Sequence, residues 1–506
     1  MNIVLVGLPG TGKSRLGQRL ARELRLDFVD TDDLVACSAG RPAAGDVLRE
    51  EGERAFRARE CDVLERVLAQ PDTVVATGGG IVTTERARDL LTRSTSRVLA
   101  LHTRLDRLTE RCSIGDRPLL QGDVRSTLER LWQERVGHYR AVAEAWFATD
   151  RSPAVTVRDA LAFVRLERLA ANVYFGAGAR QHAFRFHAGD AALVTHPELE
   201  RLYGADLGRP VHGRTIVHRV AEGEGSKSLR VLDRLYRASA RGGLGRDSSV
   251  VGVGGGVITD LAGHFAATYL RGVPFVSVPT TLLAQVDASI GGKCGVDLPE
   301  GKNLVGSFYP ARAILLDPDV LTTLPAERVR EGMAEVVKVG FALDAELYRM
   351  VADLGPAPYE DADLTAVMRQ AARDKLQVVE QDPYEQGVRA VLNFGHTFGH
   401  AIEMAAKYTL SHGDSVAIGM VAALRLSERL LGFPHAASGI ALLERMGLPT
   451  VAPVTASEFL PFLERDKKRR GGKIHMVLIE DIGHWRLMPV EAADLQWAAY
   501  TVALTP

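Results

Sequence analysis

The sequence predicts an α/β protein in three parts: a P-loop domain with a central parallel sheet, a nucleotide-binding α/β domain, and a mainly α-helical domain for metal and substrate. Three observations carry this reading. Residues 2–14 read NIVLVGLPGTGKS, an apolar strand entering a glycine-rich loop, and Leu16, Leu20 and Leu24 then stripe a helix. Residues 248–260 read SSVVGVGGGVITD, a second apolar strand ending in glycines before a helix. Residues 325–414 gather Glu331, Glu335, Lys338, Arg389, Asn393, His396, His400 and His412, a residue set able to hold a metal and an anion together.

A chain of 506 residues calls for two to four domains. Its 46% hydrophobic and 25% charged residues are those of a globular protein, and a formal net charge of -1 argues against nucleic-acid or membrane binding. Cys37, Cys61, Cys112 and Cys294 form no CxxC pair and suit a reducing compartment. No apolar run approaches the roughly 18 residues of a membrane span, so a cytoplasmic location is expected.

In the first loop, Gly10, Thr11, Gly12, Lys13 and Ser14 would cradle nucleotide phosphates: backbone N–H groups face the anion, Lys13 reaches the terminal phosphates, and Ser14 can bind Mg2+. Asp30 and Asp32 follow Phe28 and Val29, at the strand edge where parallel sheets bind ligands. They read as a Mg2+ shell and a hydroxyl acceptor. Arg57 stands on a helix, TVVATGGG delivers Gly78, Gly79 and Gly80, Arg117 lies in a lid-like GDRPLL segment, and Arg135 follows in QERVGHYR. These arginines around one phosphate loop imply an anionic substrate and a charge-stabilised phosphoryl transfer.

GLPGTGKS, VDTDD, AFRARE, ATGGG, DRPLL and ERVGHYR together resemble shikimate kinase over about residues 1–165. The resemblance implies that Asp32, Arg57, Gly79, Gly80 and Arg135 hold shikimate, with Asp32 as base. It also implies that Asp30 orders Mg2+ and its water, and that Arg117 meets the ATP phosphates. The kinase is expected to close with a helix over 159–170. With no Pro/Ser-rich linker there, units 1–170, 171–320 and 321–506 are expected to lie close together.

The second unit offers Glu224 and Lys227 in EGEGSKSL, Gly255, Gly256 and Asp260 in the glycine run, and Thr280 and Thr281 in VPTTLL, followed by Asp287, Lys293, Lys302 and Asn303. In the third, Asn393 reads as the N-cap of a helix to Lys407, whose i, i+4 spacing pairs His396 with His400 as ligands. His412 reads as part of a glycine-containing turn, with Glu331 or Glu335 as carboxylate partner.

EGMAEVVKVG, NFGHTFGH, SHGDSVAIGM, GGGVITDLAG, PTTLLAQVDASIGGK and GKNLVGSFYP, in that family's order, resemble 3-dehydroquinate synthase from about Asn172 onward. The resemblance implies Zn2+, or Co2+ in its place, on Glu335, His396 and His412, which replaces the His396–His400 pairing and gives His400 a substrate or supporting role. It lines an NAD+ site with Glu224, Lys227, Gly255, Gly256, Asp260, Thr280, Thr281, Asp287, Lys293, Lys302 and Asn303. His196 stands where that family has a small acidic or amide residue. Arg271, Lys293, Lys338, Lys375, Arg389, Asn393, His400 and Lys467 or Lys468 would surround the substrate, with Lys338, Asn393 and His400 handling protons and orientation. So many cations match an acidic, phosphorylated substrate.

The expectation is a bifunctional enzyme. ATP with Mg2+ phosphorylates shikimate, while NAD+ and zinc convert 3-deoxy-D-arabino-heptulosonate 7-phosphate to 3-dehydroquinate and phosphate, in a homodimer formed through the synthase half. Rival readings are a P-loop kinase of another small molecule such as gluconate, joined to another sugar-phosphate cyclase or a metal-dependent polyol dehydrogenase, or a chain with one non-catalytic half.

Overall fold

Two mainly parallel sheets meet across the helix Pro153–Arg165. The computed structural model describes residues 1–113, 123–355, 363–469 and 474–504, without the side chains of 464–469. The first sheet contains β1 (Ile3–Val6), β2 (Asp27–Asp30), β3 (Thr73–Ala76), β4 (Arg97–His102) and β5 (Ala145–Ala148), ordered β2-β3-β1-β4-β5 and parallel throughout. Strand alternation splits its apolar side chains. Val4 and Val6 join the core under the helices of one face, and Ile3 and Leu5 join the core on the other.

Strands β6 (Glu167–Ala170), β7 (Val173–Phe175), β8 (Ala191–Thr195), β9 (Thr215–Arg219), β10 (Ser249–Gly254) and β11 (Phe275–Pro279) come next. The hairpin β12 (Lys293–Leu298) and β13 (Gly301–Phe308) and then β14 (Ala313–Leu316) complete this part. The second sheet runs β6-β7-β14-β11-β10-β8-β9, and only the β6–β7 pair is antiparallel. The helix expected over 159–170 instead ends at Arg165, and residues 167–170 are drawn into the second sheet as strand β6 by pairing with β7.

The two sheets share a core. Phe163 packs its ring 5.8 Å from Phe147 of β5 and 5.6 Å from Tyr174 of β7, with Phe186 at 5.8 Å and His182 at 5.3 Å. Polar ties border these rings: the Trp146 N–H donates to the Arg185 carbonyl at 2.7 Å, Arg97 donates to the Val164 and Leu166 carbonyls at 3.1 Å each, and Arg312 donates to the Ala143 carbonyl at 2.7 Å.

The third part is built round the helix His412–Leu431, buried on nearly every side. A helix apolar all round belongs at the centre of a bundle. Helices Ala326–Ala342, His396–Ala405, Ala436–Arg445 and Ala492–Val502 pack against it. The hairpin β15 (Ile474–Asp481) and β16 (His484–Val490) precedes the helix Ala492–Val502 and is tied in by the Ile479 N–H donating to Ser427 Oγ at 2.9 Å. Among the described residues no helix is long and apolar enough to cross a membrane.

Candidate active sites

The phosphate loop turns through Gly12, whose φ of 90° is the left-handed backbone that glycine allows, directly before the helix Lys13–Leu24. Lys13 Nζ donates to the Gly7 and Leu8 carbonyls at 2.8 and 3.0 Å, closing the loop round its own ammonium. Ser14 Oγ donates to Asp30 Oδ2 at 2.6 Å, so the two residues expected at Mg2+ are adjacent. Asp30 Oδ1 caps the next helix by accepting the Asp32 N–H at 3.1 Å.

Asp32 lies close to Gly78: a Cβ there would sit 2.7 Å from Asp32 Oδ1. Burial pushes the Asp32 carboxyl up from the usual range, as does the Asp30 charge, against the pull of Lys13 and Arg57. Arg57 ion-pairs with the buried Glu60 at 2.5 Å and with Glu53 at 3.2 Å. Burial lifts Glu60 to about 7 despite Arg57. A Cβ on Gly80 would strike the Arg57 guanidinium. The Gly79 carbonyl accepts from Arg135 at 3.0 Å and from the Tyr139 hydroxyl at 2.6 Å. Arg111 spans from the Thr149 carbonyl at 2.8 Å to that of Gly10 at 3.4 Å. Arg117 lies outside the described residues.

In the second part, Gly255 precedes the helix Gly256–Thr268, and a Cβ on Gly255 would sit 3.0 Å from Thr281. The bare helix N-terminus fits a dinucleotide pyrophosphate. Thr280 donates its N–H to the Gly254 carbonyl at 3.0 Å, and Thr281 Oγ1 accepts from the Ala284 N–H at 3.1 Å. Lys227 donates to Asp260 at 2.6 Å and to Asn303 at 2.5 Å. Burial raises Asp260 to about 6, opposed by Lys227. Glu224 is exposed at the start of the turn Glu224–Ser226. His196 caps the helix Pro197–Tyr203, accepting the Glu198 N–H at 3.2 Å, a task that an acidic or amide residue performs equally well.

Glu335, His396 and His412 offer ligand atoms within 4.8 Å of one another. The Glu335 carboxylate is 1% exposed; Lys338 ion-pairs with it, yet neither oxygen accepts a well-aligned hydrogen bond. Nε2 of His396 and of His412 lie 3.6 and 3.5 Å from Glu335 Oε1. At the other side of each ring, His396 Nδ1 meets the Phe394 carbonyl at 3.2 Å and His412 Nδ1 faces Glu403 at 3.7 Å. Both imidazoles therefore turn Nε2 inward, the orientation a metal requires.

The charges agree with a cation site. Burial, then Lys338, lowers His396 to about 3, leaving a neutral ligand. Burial would also lower His412, but Glu335 and Glu403 overcome it and hold it at about 9. Glu335 is pulled well below the usual carboxylate range because Lys338 and the two histidines outweigh its burial. His400 stands beside this trio, its ring 5.2 Å from His396 and 6.0 Å from His412.

Close helix contacts produce the cluster. A Cβ on Gly413 would strike the Glu331 backbone, and one on Gly419 the Gly395 carbonyl. These glycines let the helix His412–Leu431 lie against the helices carrying Glu335 and His396. Two sequence expectations change here. Asn393 is not the cap, because Gly395, at φ 79°, takes that place before His396–Ala405, while the Asn393 amide donates to Glu385 at 3.3 Å. His412 is the first residue of its helix rather than part of a turn, with Ser411 as cap. Glu331 pairs with Arg328 at 2.9 Å.

Asp287 lies with the His/Glu cluster: Lys375 Nζ donates to its carbonyl and to Oδ1 at 2.5 Å each, and Lys338 stands 3.9 Å away. Burial lowers Lys375 against the pull of Asp287, and the two nearest lysines hold Asp287 below its usual value despite burial. Lys293 ion-pairs with Glu385, and Lys302 donates to Glu403 at 2.7 Å. Arg389 donates to the Pro383 carbonyl at 2.7 Å, and a Cβ on Gly291 would strike its guanidinium. Arg271 is exposed in left-handed backbone (φ 69°) and makes none of the described contacts with this group. Lys467 lies in the helix Ala456–Arg469, its side chain outside the described part.

Sequence reasoning missed Glu60, Tyr139, Glu385 and Glu403. Glu403 had a signal, since it continues the His396, His400 face at i+7. Glu60 follows Arg57 by one helical turn. Glu385 lies in an irregular loop with no such periodicity.

Fold and sites define a two-part α/β enzyme, a phosphate-loop kinase followed by an enzyme with a buried His/Glu cluster suited to a metal. The shikimate kinase family profile matches residues 9–165, the 3-dehydroquinate synthase N-terminal profile residues 217–331, and its C-terminal profile residues 332–469. The chain is 43% identical over 321 residues to a 3-dehydroquinate synthase of Pelobacter propionicus, covering 61% of this chain and 88% of the relative. It is 48% identical over 273 residues to that of Geobacter metallireducens, covering 53% and 76%. Among solved structures, a 2-epi-5-epi-valiolone synthase from Streptomyces hygroscopicus with NAD+ and Zn2+ bound matches at 29% identity and a TM-score of 0.58, covering 62% of this chain and 91% of that one. A 2-deoxy-scyllo-inosose synthase with carbaglucose-6-phosphate, NAD+ and Co2+ matches at 25% and 0.56, with the same coverage. The chain belongs to the 3-dehydroquinate synthase family, with a shikimate kinase domain fused ahead of it. Its activities are those two steps of the shikimate pathway.

Proposed function

We propose that the synthase half holds Zn2+ on Glu335, His396 and His412 and NAD+ along Gly255, Gly256, Lys227, Asp260, Thr280, Thr281 and Asn303, and converts 3-deoxy-D-arabino-heptulosonate 7-phosphate to 3-dehydroquinate and phosphate. The observation that carries this is the buried Glu335 carboxylate, without aligned donors, facing two inward-turned imidazoles. When bound, the metal supplies Lewis acidity at a substrate oxygen and NAD+ a hydride acceptor that is restored within each turnover. Lys338 and Lys375, both buried, supply positive charge for an anionic substrate, and Asp287 keeps their ammonium groups together. His400, lowered by burial and by His412, is neutral and free to take or return a proton beside the metal group. Asn393, Arg389 and Lys293 would orient the substrate, with Arg271 and Lys467 as further proposed contacts.

In the kinase half, Lys13 and the loop amides would hold ATP, Ser14 and Asp30 its Mg2+, and Arg57, Arg135 and the Gly79–Gly80 backbone the shikimate. Asp32, whose burial strengthens it as a base, would accept the proton of the attacking hydroxyl. Arg117 is the proposed lid contact. A cytoplasmic location and a homodimer through the synthase half complete the reading.

The deciding experiment gives purified protein the heptulosonate phosphate, Zn2+ and a catalytic trace of NAD+. Phosphate release far beyond the NAD+ supplied, without lasting NADH, is the expected result. Stoichiometric NADH would overturn the reading in favour of a dehydrogenase, and silence would direct attention to the sugar phosphates of other cyclases. Shikimate-dependent ADP formation tests the kinase, and sedimentation tests the dimer.

A further inference from the structure

One carboxylate joins the cofactor side of the synthase to its metal cluster. Glu403 lies on the helix face that carries His396 and His400, and it is 4% exposed. Its Oε1 accepts from Lys302 Nζ at 2.7 Å, while its Oε2 lies 3.7 Å from His412 Nδ1. Lys302 also stands 4.7 Å above the Tyr408 ring, just past the end of the same helix. Its neighbour on β13, Asn303, belongs to a different network: Asn303 accepts from Lys227, which also donates to Asp260 on the helix that follows the glycine run. The hairpin's pairing shifts register opposite this point, and within one step along β13 the side chains pass from the dinucleotide network to the metal cluster. Asn303, with φ 57° and its N–H held by Asp297 at 2.7 Å, fixes that step.

The two histidines differ in how they are held. His396 Nδ1 meets the carbonyl of Phe394, within its own chain segment, whereas His412 Nδ1 faces, at 3.7 Å, a carboxylate shared with a lysine from the hairpin. A carboxylate behind a ligating imidazole fixes its tautomer and direction, and such partners affect metal affinity by about 10- to 100-fold. Here the position of that carboxylate depends on the hairpin.

We propose that Lys302 and Glu403 are positioning residues that make metal binding and dinucleotide binding mutually dependent, by tying the β12–β13 hairpin to His412. This rests on the reading of Glu335, His396 and His412 as the metal site. A dinucleotide that settles the hairpin settles Glu403 and hence His412, and the metal does the reverse. Linkage requires the two effects to be equal in size.

The test uses the full chain stripped of metal by a chelator. Zn2+ affinity is measured by competition with a chromophoric chelator, with and without saturating NAD+, and NAD+ affinity by titration with and without Zn2+. In the unaltered protein each ligand should tighten the other by about tenfold. Glu403→Gln, close in shape, should weaken Zn2+ binding by about 10- to 100-fold and bring the mutual effect near one. Lys302→Met, at a site that is one-third exposed, should remove the mutual effect while Zn2+ affinity without NAD+ changes less than in Glu403→Gln. Lys302→Arg should restore it. Independent binding in the unaltered protein, or an undiminished mutual effect in both Glu403→Gln and Lys302→Met, overturns the proposal. His396→Ala separates the failures: if it keeps normal Zn2+ affinity, the metal-site reading itself falls, and if it loses Zn2+ while Glu403→Gln retains normal affinity and coupling, only the positioning role falls.

Discussion

The kinase site is assembled around a short run of backbone, whereas the synthase centre is assembled from charged side chains carried by separate helices. Gly7 to Ser14 form a loop whose conformation is set by adjacent glycines, and its lysine is held by that loop's own carbonyls. Glu335, His396 and His412 meet only because three helices pack closely at Gly413 and Gly419. A site of the first kind depends on local conformation. A site of the second kind depends on tertiary packing and on charges that would repel or lie unpaired if one were removed.

The sharpest test of this contrast is to remove one member from each site. His412→Ala should lower cyclisation by about 10³-fold, the scale of losing several kcal/mol of Lewis-acid stabilisation, together with bound zinc. Shikimate phosphorylation should stay within about twofold, since distant sites act independently. Metal analysis and the two separate assays measure this. Lys13→Ala should do the converse, lowering phosphorylation by about 10²- to 10³-fold for the loss of one charge-stabilising donor and sparing phosphate release from the heptulosonate. Loss of both activities in either folded variant would end the independent-sites view.

Phe163→Ala probes the opposite property, the shared core. Its ring lies beside Phe147 of the first sheet, Tyr174 of the second and Phe186 in the segment before β8, so truncation should cost about 3–5 kcal/mol. In a urea titration both activities should be lost along one shifted curve. Two separate transitions in the unaltered protein would show that the halves fold as independent units despite their contact.

The smallest effect expected is a pH slope from Glu60. Its folded pKa of about 7 lies above the ordinary carboxylate value, so the folded state binds more protons than the unfolded state between about pH 4.5 and 7. Its contribution to stability is therefore greatest at the acid end of that window and falls as pH rises through it. Glu60→Gln should flatten that part of the stability profile, as read from denaturant midpoints. An unchanged slope would mean that Arg57 keeps Glu60 ionised throughout.

What the sequence determined by itself is what depends on near neighbours. The phosphate loop, the strand-to-glycine turn after β10 and the α/β character all follow from period-two and helical patterns whose physical cause spans a few residues. The helical spacing of His396 and His400 was also real, and their rings do lie together. That spacing could not choose the third partner, because His412 reaches Glu335 only through the packing of two glycine-bearing helices. The roles of Lys302, Glu385 and Glu403 were likewise left to tertiary structure. A charged side chain on a strand, loop or helix looks the same in sequence whether it meets water or a buried partner, and only the fold decides which charges are removed from solvent together.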